Sequence, residues 1–172
     1  MEYRTKNRVL TGWLNSYIIF LTLFLIMGSV IIILMQRHRK IPFADWFMKE
    51  FERENVRFPG YGAFWYVVGT LLLALSINNA NEIAAGIVTL AAGDAAATIF
   101  GIRGRHPLPY NRHKTTEGSV AFFIFSLPAF LVVGWTGIVL AALAAVVESL
   151  PAPVDDNLLI PVTAILLFTI VA

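Results

Sequence analysis

Long apolar stretches recur along this chain, and they limit its possible folds more than any motif does. Residues 14–35 hold no charged side chain at all, and a bilayer core about 30 Å thick needs roughly 20 apolar residues per helix. Further apolar runs cover 61–77, 82–100, 119–133 and 137–147, and one more begins near Leu158. With 58% hydrophobic and 14% charged residues, a water-soluble domain of this size would carry more apolar surface than it could bury. The expectation is an all-α, polytopic transmembrane bundle of about six spans, with residues 1–172 forming a single membrane-embedded domain. The absence of cysteine excludes disulfides, thiolate zinc sites and cysteine nucleophiles.

The segments between the runs have distinct characters. The first run is too long for the core of a cleaved signal peptide, so it reads as a retained anchor. Residues 42–54 alternate aromatic and charged blocks and read as an amphipathic helix lying in the interface. Asn78, Asn79 and Asn81 leave room only for a tight hairpin, and Pro107 and Pro109 argue against a helix through the basic loop 103–114. Pro128 and Pro161 fall inside spans and are expected to kink them. Arg37, Arg39, Lys40, Lys49, Arg53 and Arg57 follow the first span, and Arg103, Arg105, Arg112 and Lys114 follow the third. By the positive-inside rule both loops face the cytoplasm, and counting spans puts loop 148–157 on that same face. Arg4, Lys6 and Arg8 run against the rule.

Three features on that face bear chemistry. Asp94 lies near the cytoplasmic end of the third span, where a carboxylate is costly unless something binds it. It either pairs with a polar neighbour and fixes helix packing, or holds a metal ion or catalytic partner. Lys114, Thr115, Thr116, Glu117, Gly118 and Ser119 stand where a loop becomes a helix, so free amides, glycine and lysine can cradle phosphate there. Alternatively, a threonine caps the helix and Glu117 favours its first turn. Asp155, Asp156 and Asn157 precede the last span, as a plain cap or as oxygen donors to Mg²⁺ beside a nucleotide. His38, His106 and His113 share no metal-ligand spacing. No Walker-type GxxxxGK[ST] and no HRD or DFG pattern occurs, and the few basic residues lie against the membrane, which makes nucleic acid an unsuitable partner.

Taken together, Arg57-Phe-Pro-Gly60, Gly93-Asp94 with Ala97, Gly101 and Gly104, the run from Lys114 to Ser119, Glu148, and Asp155-Asp156-Asn157 with Ile160-Pro161 resemble the membrane-embedded lipid kinase family. That family comprises dolichol kinase, phytol kinase and the CTP-dependent diacylglycerol kinase, and the likeness covers residues 52–172. It implies transfer of the terminal phosphate of CTP, or of another nucleoside triphosphate, to the hydroxyl of a membrane lipid alcohol. On that resemblance Asp94, Asp155 and Asp156 bind Mg²⁺. Arg103, Arg105, Lys114, Thr115, Gly118, Ser119 and Asn157 hold the nucleotide, and Glu117 or one of the acidic pair orients or deprotonates the alcohol. The family's members begin with a helix bearing Arg-Lys and a following His, which residues 1–13 lack, so the chain reads as a shortened member. The related phosphatidate cytidylyltransferases carry Lys-Asp, His-Gly-Gly and Asp-Arg signatures that are missing here. Two other classes remain open: a nucleotidyl transferase would release pyrophosphate instead of CDP, and a transporter would bind no nucleotide.

Overall fold

The computed structural model describes residues 61–171 continuously, together with isolated positions between 13 and 42. The predicted span at 14–35 is described only in part, and the interfacial helix at 42–54 beyond Pro42, the basic residues Arg4, Lys6 and Arg8, and the Arg57–Gly60 motif lie outside the described residues.

Every regular element from residue 61 onward is helical. Helix α1 (Tyr61–Ser76) ends at the asparagine turn, where Asn79 accepts from the Asn81 N–H and caps α2 (Ala80–Val88). That capping replaces one of the N–H partners a helix start lacks. A five-residue π segment (Thr89–Gly93) links α2 to α3 (Asp94–Ile102), so 80–102 runs as one continuous rod with a register shift just before Asp94. Helix α4 (Thr116–Ser126) passes through a 3₁₀ turn at Leu127–Ala129, where Pro128 interrupts it, into the short α5 (Phe130–Val133). Gly134 adopts φ +68°, a conformation open to glycine, and reverses the chain into α6 (Trp135–Ser149). Helix α7 (Asp156–Val171) contains Pro161 without a break.

The helix limits fall within a few residues of the anticipated spans. Two helices, Ala80–Ile102 and Thr116–Val133, are long and apolar enough to cross a membrane, while Tyr61–Ser76, Trp135–Ser149 and Asp156–Val171 are apolar but shorter.

Packing is set by small residues and by a two-part core. One cluster holds Leu73, Ile77, Ile83, Ala129, Leu140 and Phe168 near the hairpin end. The other, built on Leu90, Ala97, Phe122, Ala144 and Ile160 with Tyr66 against it, lies toward the opposite end. There α3 and α4 meet closely: a Cβ on Gly118 would come within 3.0 Å of the Ala97 carbonyl and 3.2 Å of the Gly101 Cα. Helices α1 and α7 meet as closely at Gly69, whose added Cβ would collide with the Asn157 carbonyl. Pro161 stands four residues after Asn157 and, lacking an N–H, cannot donate to that carbonyl. These close approaches bring the end of α3, the starts of α4 and α7 and the end of α6 to one end of the bundle.

Candidate functional site

The loop between α3 and α4 folds back on itself before the helix begins. Leu108 N donates to the Lys114 carbonyl at 2.9 Å, Lys114 N to the Asn111 carbonyl at 3.1 Å and Thr116 N to the His106 carbonyl at 2.9 Å. Side chains then pin the loop to the end of α6. Asn111 Nδ2 donates to the Ser149 carbonyl at 3.0 Å, and the Tyr110 hydroxyl lies 2.9 Å from Ser149 Oγ. A carbonyl in the last turn of a helix has no intrahelical partner, so Asn111 satisfies a group that would otherwise be left over.

This scaffold holds Lys114 at the centre of an ionic cluster. Its ammonium donates to Glu148 Oε1 and to Asp156 Oδ2, the latter at 2.6 Å. Glu148 and Asp156 are almost completely buried, while Lys114 keeps 21% of its side chain exposed. Burial on its own lowers the lysine pKa, but the charges of Asp156 and Glu148 and the hydrogen bonds they accept prevail, and the net shift is upward from 10.5. Lys114 is therefore an ammonium at any physiological pH.

The remaining predicted residues take more varied positions. Thr115 caps α4, accepting from the Gly118 N–H at 3.2 Å. Together with the Thr116 bond to His106, that engages first-turn amides that sequence reasoning offered to phosphate, so the capping alternative describes this helix start. Gly118 is packed against α3, and Ser119 Oγ is buried. Glu117 fastens the loop: its carboxylate accepts from Arg105 N at 2.9 Å and His106 N at 3.3 Å, and lies 2.7 Å from His106 Nδ1. Arg103 and Arg105 are exposed beside it. Asp155 caps α7, accepting from Asn157 N at 3.0 Å, as the plain reading of the acidic pair had it. Asn157 is buried and reaches the Gly62 carbonyl from Nδ2 at 3.4 Å. Asp94 opens α3 immediately after the π segment, within electrostatic reach of Tyr66.

The structure thus joins Lys114 to Asp156 and adds Glu148, a residue set apart in the sequence only by the family resemblance. Its spacing gave no further hint, because contact with Lys114 depends on the fold of loop 103–115. Among the described residues no three His, Asp or Glu side chains converge as a ready-made metal cage. Mg²⁺ commonly uses only one or two carboxylates and takes its other ligands from phosphates and water. Buried carboxylates at an open loop cluster, one with an oxygen lacking a hydrogen-bond partner, fit that donor set.

No family model and no solved structure matches the chain. The uncharacterized protein MJ1137 of Methanocaldococcus jannaschii is 35% identical over 150 residues, which are 86% of this chain and 76% of that protein. Probable phytol kinase 3, chloroplastic, of Glycine max is 34% identical over 130 residues, 64% of this chain and 41% of the kinase. Probable phytol kinase, chloroplastic, of Triticum aestivum is 36% identical over 128 residues, 61% of this chain and 42% of the kinase. The chain spans about two fifths of the length of these plant relatives.

Proposed function

The chain belongs to one family with the archaeal protein MJ1137 and shares about three fifths of its length with probable phytol kinases, and from that premise we propose that it is an integral membrane lipid kinase. It transfers the terminal phosphate of CTP, or of a related nucleoside triphosphate, to the hydroxyl of a lipid alcohol of the phytol, polyprenol or diacylglycerol kind. The observation that carries this reading is the Lys114–Glu148–Asp156 cluster, built where the loops of the bundle gather. The outward faces support a bilayer setting: Ile102, Leu131, Trp135 and Ile170 are each at least 77% exposed, which is the surface lipid would cover.

Phosphoryl transfer proceeds through a loose transition state, so the protein has mainly to position groups and neutralise charge. Lys114 supplies a permanent positive charge at the mouth of α4, where the helix dipole also favours anions. Arg103 and Arg105 border that mouth from the exposed loop. Asp94 and Asp156 are the residues that would hold a magnesium ion, which would offset negative charge on the phosphates of the nucleotide. The π segment sets the register in which Asp94 is presented, and such bulges recur at functional sites. Asp155 and Glu117 hold the helix start and the loop in place. The alcohol arrives from the bilayer with its hydroxyl at the surface, so only its headgroup needs to reach the cluster.

The test incubates the detergent-solubilised full chain with γ-labelled CTP, ATP or GTP, Mg²⁺ and a panel of lipid alcohols. Label should enter one class of lipid, with CDP or the matching diphosphate as co-product, and an Asp94→Asn variant should lose it by at least a hundredfold. Equal labelling by both proteins removes Asp94 from the mechanism, and transfer to no lipid with any nucleotide defeats the kinase reading.

A further inference from the structure

Helices α1 and α7 meet along a seam at Gly62 and Gly69, where an added Cβ would lie 3.8 Å from Asn157 Nδ2 and collide with the Asn157 carbonyl. Asn157 is only 6% exposed. Its Nδ2 donates to the Gly62 carbonyl at 3.4 Å, which fixes the amide's orientation, and Oδ1 is left buried without a hydrogen-bond partner. Trp65 follows Gly62 by less than one helical turn. Its indole N–H, a donor only, is likewise buried without a partner. The rings of Tyr61 and Phe64 pack edge-on against the indole, with centroids 6.1 and 5.2 Å away, and limit its rotation.

Buried polar groups normally find partners, and each bond left unmade is costly. An orphan donor and an orphan acceptor on one seam match a group that accepts once and donates once. We propose that Trp65 and Asn157 form a subsite for the hydroxyl of the acceptor lipid, with Trp65 Nε1 donating to its oxygen and Asn157 Oδ1 accepting from its O–H. The esters and phosphodiesters of ordinary membrane lipids only accept, so they satisfy the indole and not the amide. The place is suitable, because Asn157 follows Asp156, whose carboxylate accepts from Lys114 at 2.6 Å. Phe64, 43% exposed, offers an apolar flank to the lipid chain, and tryptophan suits an interface where its ring is apolar and its N–H meets polar groups. Once the oxygen carries phosphate it has no hydrogen for Asn157, so the subsite favours alcohol over product. That the bound alcohol is then phosphorylated rests on the kinase reading, whereas the hydroxyl subsite rests on the seam.

The probes are tritiated phytol, a polyprenol and a diacylglycerol, bound to the immobilised full chain in detergent, each with its O-methyl ether as competitor. The ether keeps the oxygen that accepts from Trp65 and lacks the hydrogen for Asn157. In wild type at least one alcohol should bind about fivefold more tightly than its ether, the effect of one hydrogen bond. Trp65→Phe keeps an aromatic ring beside Tyr61 and Phe64, and should weaken alcohol and ether alike by about the same factor. Asn157→Leu should erase the preference for alcohol; where that variant does not fold, Trp65→Phe and the ether still decide. Equal binding of alcohol and ether by wild type, binding of no alcohol, or unchanged affinity in Trp65→Phe overturns the subsite. Phosphate transfer is scored separately. A chain that binds in this pattern and phosphorylates nothing refutes the kinase reading and keeps the subsite, whereas a kinase whose KM for the alcohol is unchanged in Trp65→Phe keeps the kinase reading and loses the subsite.

Discussion

Between Glu148 and Asp156, Lys114 experiences two opposing influences, and the sign of the balance makes a prediction. Desolvation favours the neutral amine, but the two carboxylates favour the ammonium and prevail, so the folded pKa lies above the ordinary value of 10.5. A group whose pKa rises on folding contributes stability fully below its unfolded pKa and loses it as pH climbs through the folded one. Thermal stability should therefore be insensitive to Lys114 from neutral pH to about 10 and decline only beyond that. In Lys114→Met that alkaline decline should vanish, and because two buried acids lose the ammonium that both of them bind, stability should drop by about 3–5 kcal/mol, read from thermal unfolding at pH 7. A loss below about 1 kcal/mol, as for an exposed pair, would contradict the burial seen here. Asp94, Lys114 and Asp156 were legible in the sequence, since an acid in an apolar run and a lysine before a helix are conspicuous. Glu148 and the clamp made by Glu117 were not, because each depends on how a proline-bearing loop folds back over its neighbours.

At the level of elements, close approach between helices positions the site. The π segment packs against α4 so tightly that a Cβ on Gly93 would lie 2.5 Å from Ser126 Oγ and 2.8 Å from the Phe122 ring. Gly93→Ala should cost about 1–3 kcal/mol through overpacking. It should also lower kcat more than it raises KM, because it displaces Asp94 next to it without touching the Lys114 cluster. An unchanged kcat would detach the π segment from function. The helices themselves were readable from runs of apolar residues closed by asparagines, prolines and Gly134. The π segment was not, because a run of leucine, alanine and glycine fits an α-helix equally well and only the packing of Ser126 and Phe122 marks the shift.

At the scale of the molecule, two apolar clusters hold the described helices together, one near the hairpin end and one toward the end where loops and charge gather. If the exposed apolar faces meet lipid, the chain should remain in the membrane pellet after alkaline carbonate extraction and enter solution only with detergent. Release by carbonate alone would contradict the bilayer setting. Sequence reasoning reached the helical elements because apolar length is a one-dimensional property, whereas the union of Lys114, Glu148 and Asp156 from three separate elements is not. The most direct test supplies CTP labelled either at the α- or the γ-phosphate, with the accepted lipid alcohol, to wild type and to Asp156→Asn. Label should reach the lipid from the γ position only and fall at least a hundredfold in the variant, while transfer of the α label, or full activity in Asp156→Asn, would contradict a phosphoryl-transfer site at this cluster.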